Sequence, residues 1–167
     1  MRPPTGWKPV LREQLPRKPM PPMNRIQLNQ VRASLEWFRP CGPALVAQVV
    51  RQLADNHPRV RAFLPDDTST WHARWFATLA QVVANLHTFQ AVEGGLGVLG
   101  TRAAARGVTP AHMAVVRDEL LVAMSRLAGE DWTDALHEAW TTTLDAAIGA
   151  MIHTAPATAP TPARRAA

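Results

Sequence analysis

The chain has 167 residues, 47% of them hydrophobic, which suits one packed domain with tails. Its net charge of +5 sits at the ends: residues 1–30 hold six basic side chains against Glu13 alone, Arg164 and Arg165 add two more, and the span between carries −2. This excludes a basic nucleic-acid-binding face on the domain. No run reaches the ~18 apolar residues of a membrane span, and the single cysteine, Cys41, excludes an internal disulfide.

Residues 1–24 read as an extended, basic arm. Pro3, Pro4, Pro9, Pro16, Pro19, Pro21 and Pro22 forbid a continuous helix there. Trp7, Leu11, Leu15 and Met20 are scattered through it with few solvating acidic residues between them. Apolar anchors separated by Arg and Lys suit docking along a protein partner with an acidic surface, or a larger assembly. The other reading is a disordered tail.

A helical domain is expected over residues 25–153. Ile26, Leu28, Val31, Leu35 and Phe38 open an amphipathic helix, broken by Pro40 and Pro43 around Cys41-Gly42. A second helix runs from Leu45 to Ala54 and closes at Asn56-His57-Pro58. Asp66-Asp67-Thr68-Ser69 offers N-caps for a helix from Thr70 to His87. Gly94-Gly95-Leu96-Gly97 is expected to loosen the following segment. Thr109-Pro110 starts the next helix, to Leu127. Glu130-Asp131 opens the last, which ends near Met151. Residues 154–167 read as a disordered Pro, Ala and Thr tail. No strand pattern occurs, so the fold class is all-α.

The residues that could carry chemistry are sparse. His57, His72, His87, His112, His137 and His153 show no zinc-type spacing. Cys41 in a helix bend reads as inert packing. Glu138 and Asp145 show no paired-carboxylate arrangement. There is no nucleophile motif and no phosphate loop. These observations predict no catalytic residue, no metal site and no enzymatic role. The lone cysteine and the lack of an apolar leader predict a reducing, cytoplasmic setting.

Several stretches together resemble the bacterial globins, the single-domain haemoglobins and the globin domain of flavohaemoglobins. Leu99-Gly100-Thr101-Arg102-Ala103-Ala104-Ala105-Arg106-Gly107-Val108-Thr109-Pro110-Ala111-His112-Met113 is similar to the family's iron-carrying segment, roughly L-G-x-x-H-x-x-x-G-V-x-P-x-H-Y. The run from Val49 to Asp67, with His57-Pro58 and Val60-Arg61, matches a second. Asp131-Trp132-Thr133 and Glu138-Ala139-Trp140 match signatures of the last long helix. The resemblance runs from about Leu28 to about Ile152 and implies a globin fold of six to eight helices.

Carried over residue by residue, the resemblance puts Ala103 where the family has its proximal haem histidine. A methyl group coordinates no metal. The aromatic wedge of the haem falls on Leu64, the distal position on Trp71, the small aliphatic position beyond it on Trp75, and a ligand-facing tyrosine on Val50. Trp71 and Trp75 are one turn apart, and each indole can bury about 150–250 Å². Filling a void that would cost about 24 cal/mol per Å³ is the expected repair of an empty pocket. The other arrangement puts both indoles on the outer face of their helix.

This reading implies a haem-free globin-like module without a cofactor, an accessory subunit docked through its arm. The alternative is a globin that binds haem or another tetrapyrrole with unusual ligation, in gas sensing or oxygen binding.

Overall fold

The computed structural model describes residues 23–64 and 69–154. Seven α-helices follow in order: α1 Arg25–Phe38, α2 Gly42–Asn56, α3 Pro58–Arg61, α4 Ser69–Ala84, α5 Gln90–Ala105, α6 Pro110–Ala128 and α7 Asp134–Thr154. Single 3-10 turns join α1 to α2, α4 to α5, and α6 to α7. No strand occurs among the described residues, and the all-α expectation holds. Trp7, Leu11, Leu15 and Met20 lie outside the described residues, as do residues 155–167 of the tail and Asp66, Asp67 and Thr68 of the expected caps.

Local chemistry sets the helix starts. Asn24 caps α1: its Oδ1 accepts from the Gln27 amide at 2.8 Å, while Gln27 Oε1 accepts from the Asn24 amide at 3.0 Å. Thr109 and His112 form the equivalent box on α6. The Thr109 hydroxyl accepts from the His112 amide at 3.3 Å, and His112 Nδ1 accepts from the Thr109 amide at 3.2 Å. Pro110 follows at the first helical position, where its missing N–H costs nothing. Pro43 acts the same way in α2, so the helix begins at Gly42 rather than after the second proline.

The core is held at its centre by α1 and α7. Trp140 is fully buried, and its Nε1 donates to Ser34 Oγ at 2.9 Å. Ser34 Oγ in turn donates to the Val31 carbonyl at 3.1 Å. Phe38 meets the indole edge-on at 6.4 Å between ring centres. Around this pair pack Val31, Leu35, Val46, Val49, Leu53, Val83 and Met124, all almost fully buried.

Two glycines decide how the other helices lie. A side chain on Gly42 would collide with the ring of Phe76, so this position on α2 is where the α4 ring is admitted. A side chain on Gly100 would fall inside the Met151 backbone, so α5 lies directly against α7. This explains one departure from expectation. The Gly94-Gly95-Leu96-Gly97 stretch does not loosen the chain; α5 runs unbroken through it. Glycine weakens an isolated helix by about 1 kcal/mol per residue, but packing against α7 outweighs that. With α5 committed to α7, and α4 to α2 and α1, α4 and α5 scarcely touch each other.

Three substitutions test this frame. Gly100→Ala forces α5 off α7 and is expected to destabilise by about 1–3 kcal/mol despite the gain in helix propensity. Gly94→Ala in the same helix meets open space and is expected to stabilise by about 0.5–1 kcal/mol. Ser34→Ala strands the buried indole N–H and is expected to cost about 1–3 kcal/mol. Urea unfolding followed by circular dichroism reads all three; equal midpoints for the two glycine variants would refute the α5–α7 contact.

Candidate functional site

The most distinctive feature of the described surface is a pair of indoles on α4. Trp71 and Trp75 are one helical turn apart, and their rings lie parallel, 2° between planes and 6.0 Å between centres. Both pack on the edge of the core, and both are only half-buried. Val50 and Leu64 share that status. The expectation that the indoles fill an internal space therefore needs adjusting: each covers one face of the other and keeps part of its surface in solvent. On the same helix Phe76, Val82 and Val83 are the buried hydrophobic residues.

Elsewhere in the fold two corners of the chain converge. Phe63, in the turn after α3, lies against Gly107, where a Cβ would sit 3.3 Å from its ring. It also stacks at a tilt on His112, with ring centres 4.9 Å apart. Gly107 has φ +87°, a conformation that L side chains resist. The Val108 amide donates to the Ala103 carbonyl at 3.0 Å and the Gly107 amide to Ala104 at 2.9 Å. This is the pattern that terminates helices at a left-handed glycine. Gly107-Val108 thus owes its place to ending α5. Ala103 is half-buried near that end and does not pack on the core cluster. Phe63 is the residue that sequence reasoning missed. It directly precedes Leu64 in the chain.

The histidines divide cleanly. His57 Nε2 lies 3.2 Å from Glu119 Oε1, which also accepts from Asn56 Nδ2 at 3.1 Å, joining the end of α2 to α6. His87 Nδ1 is 2.7 Å from an Arg32 guanidinium nitrogen. His137 Nδ1 accepts from Trp132 Nε1 at 3.3 Å. His112 caps α6, and His153 is exposed near the end of α7. His72 differs: it is 9% exposed, and its Nε2 is buried without a partner. It precedes Phe76 by one turn and so shares the side of α4 that Phe76 presses on Gly42.

The other polar candidates are structural. Cys41 is half-buried, its thiol 3.5 Å from the Phe38 carbonyl. Asp145 pairs with Arg117, which also binds Asp118. Hydrogen bonds from Arg117 to Asp145 and then Asp118 raise its pKa above the ordinary arginine value. The pair ties α6 to α7. Glu138 is exposed.

A family model described as Globin matches residues 65–151, just over half of the chain. This chain is a globin. A solved structure described as an "engineered carbene transferase" and "putative nitric oxide dioxygenase from Rhodothermus marinus" is similar at a TM-score of 0.68 and 20% identity, covering 76% of this chain and 89% of that one. At that identity the likeness carries the fold. No curated relative matches the sequence.

These findings correct two expectations. The reading as a haem-free accessory module is overturned, because the chain belongs to a family whose ordinary ligand is haem. The expectation of no enzymatic role is overturned as well. The globin frame is shared with a protein described as a transferase and dioxygenase, so the absence of a hydrolase-type motif gives no ground for excluding catalysis. Among the described residues, no helix is long and apolar enough to cross a membrane.

The residues present fit the family's ligand only in part. Helix α5 contains no His, Cys, Met or Tyr between Gln90 and Ala105, and so no side chain that commonly ligates haem iron. The indoles of α4 carry only an N–H donor. Among the described residues one buried imidazole has an unpartnered nitrogen, that of His72, whose ring lies beside Trp71 with centres 5.7 Å apart. The set therefore does not fit a haem held by an iron bond from α5.

The half-burial of Trp71 and Trp75 has a measurable consequence. Trp71→Ala is expected to destabilise by about 1–3 kcal/mol, against about 3–5 kcal/mol for Trp140→Ala in the core. Equal losses in paired urea titrations would show that Trp71 is as buried as Trp140.

Proposed function

We propose that this globin binds a tetrapyrrole of the haem class, with unusual ligation, in the wedge between α4 and α5. The observation that carries this reading is the stacked, half-buried indole pair on a helix that α5 leaves uncovered. A flat aromatic ligand gains most from flat aromatic walls, and offset stacking adds about 0.5–1.5 kcal/mol per pair beyond area burial. On the α5 side, Leu99 is 39% exposed and lies one turn before Ala103, on the same face of the helix. Two apolar surfaces that do not bury each other are costly in water unless something comes between them.

In this reading Ala103 stands where the family carries its proximal histidine, and Trp71 and Trp75 stand on the opposite wall. Val50, Leu64 and Phe63 close the corner. The small side chain of Ala103 leaves room against α5, and the indoles orient the ring by stacking. When bound, haem supplies affinity for small gases, the basis of gas sensing or oxygen binding. The neighbour's description as a dioxygenase supports extending the reading to oxygen chemistry on the bound group.

The test is titration of full-length protein with hemin. One equivalent per chain is expected to bind, with a shifted Soret band and quenched tryptophan emission. Trp71→Ala and Trp75→Ala are each expected to weaken binding about tenfold, the equivalent of ~1.4 kcal/mol of lost contact. Absence of saturable uptake by the wild-type protein would overturn the proposal.

A further inference from the structure

We infer that this chain binds a second copy of itself, the arginine corner at the start of α6 on one copy meeting the acidic corner at the end of α6 on the other. The inference is independent of the tetrapyrrole reading. Helix α6 has 19 residues and so runs about 28 Å at 1.5 Å per residue. That exceeds the ~8 Å over which physiological salt screens exposed charges. The two ends of α6 therefore act as separate patches, and within one chain they cannot meet.

Tertiary contacts gather the basic corner from two segments. Phe63 lies against Gly107 and stacks on His112, which brings α3 and its turn to the junction of α5 and α6. Arg59 and Arg61 lie in the last turn of α3, Arg102 lies in the last turn of α5, and Arg106 is its C-cap. All four are exposed, and none pairs with a carboxylate among the described residues. Asp55 is exposed on the adjoining end of α2. Asp66 and Asp67, which follow this corner in the chain, lie outside the described residues.

The far end of α6 has the opposite sign. Glu130 and Asp131 occupy the 3-10 turn that follows it, Asp134 opens α7, and Glu138 lies one turn on. All four are exposed, and none forms an ion pair among the described residues. Arg126 is the basic side chain in the last turn of α6. Helix dipoles account for the signs: arginines stand at the C-terminal ends of α3 and α5, and Asp134 stands at the N-terminal end of α7. The consequence is a domain with complementary corners.

Each corner also presents an aliphatic side chain. Val98 is 52% exposed and lies one turn before Arg102 on the same face of α5. Leu127 is 51% exposed and lies within a turn of Glu130 and Asp131. Apolar contact rimmed by opposite charges is the anatomy of a protein interface, and the charges fix its register. Because two different patches meet, the contact is heterologous.

Sedimentation equilibrium on the full-length protein tests this. At about 0.1 M salt the average mass is expected to rise with protein concentration. At about 1 M salt the Debye length falls from ~10 Å to ~3 Å, and the association constant is expected to fall at least about tenfold. Arg102→Gln with Arg106→Gln is expected to leave a monomer, and so is Glu130→Gln with Asp131→Asn. An equal mixture of these two double variants is expected to recover a one-to-one pair, because each supplies the patch that the other lacks. A wild-type chain that stays monomeric at low salt would overturn the inference. Association that survives either double variant would overturn it as well. If only the acidic variant dissociates, the partner of that corner lies elsewhere on the chain, among the basic residues 1–25. Two monomeric variants whose mixture does not pair would also refute it. All four changed residues are exposed, and circular dichroism melts check that both variants are folded.

Discussion

The contact between Gly100 and the backbone at Met151 governs the arrangement of this globin. Two helices can meet backbone to backbone only where one lacks a side chain, and here that position is Gly100. The contact fixes α5 on α7. Helix α4 is fixed separately, by Phe76 over Gly42 and by its packing on α1. Each helix is thus held by a different partner, and the two make few contacts with each other.

That division sets the centre of the core apart from the indole pair of α4. The Trp140–Ser34–Val31 chain of hydrogen bonds lies between α1 and α7, with an aliphatic shell around it. It stabilises the fold from its centre. The indole pair packs only on the edge of this core. Residues at such an edge can change toward a ligand's needs at modest cost in stability, whereas residues of the central shell cannot. The same division accounts for the stop at the end of α5. Gly107 and Val108 end the helix through their own hydrogen bonds to Ala104 and Ala103, so the segment keeps its shape with alanine at 103.

Much of the fold was legible in the chain. Capping residues, proline positions and the spacing of apolar side chains located α1, α2, α6 and α7 to within a few residues, because those features act over one or two turns. The glycine-rich start of α5 was not legible. Local propensity disfavours helix there, and only a distant carbonyl on α7 reverses it. At the site, the matched segments brought Val50, Leu64, Trp71, Trp75 and Ala103 to notice. They did not reveal Phe63, since nothing in its neighbourhood distinguishes it from Leu64 until Gly107 is seen against it. Nor did they reveal that His72 would be the buried histidine.

By itself the sequence determined that this is an all-α globin with basic ends and with no His, Cys, Met or Tyr between Gln90 and Ala105. Those properties are local: they depend on residue type and on spacing along one helix. The tertiary structure decided the rest. It placed α5 on α7 and α4 on α2, set two indoles parallel and half in solvent, and buried one imidazole with its Nε2 unpartnered. Each of those depends on contacts between residues far apart in the chain, where whether a side chain fits is set by the backbone opposite it.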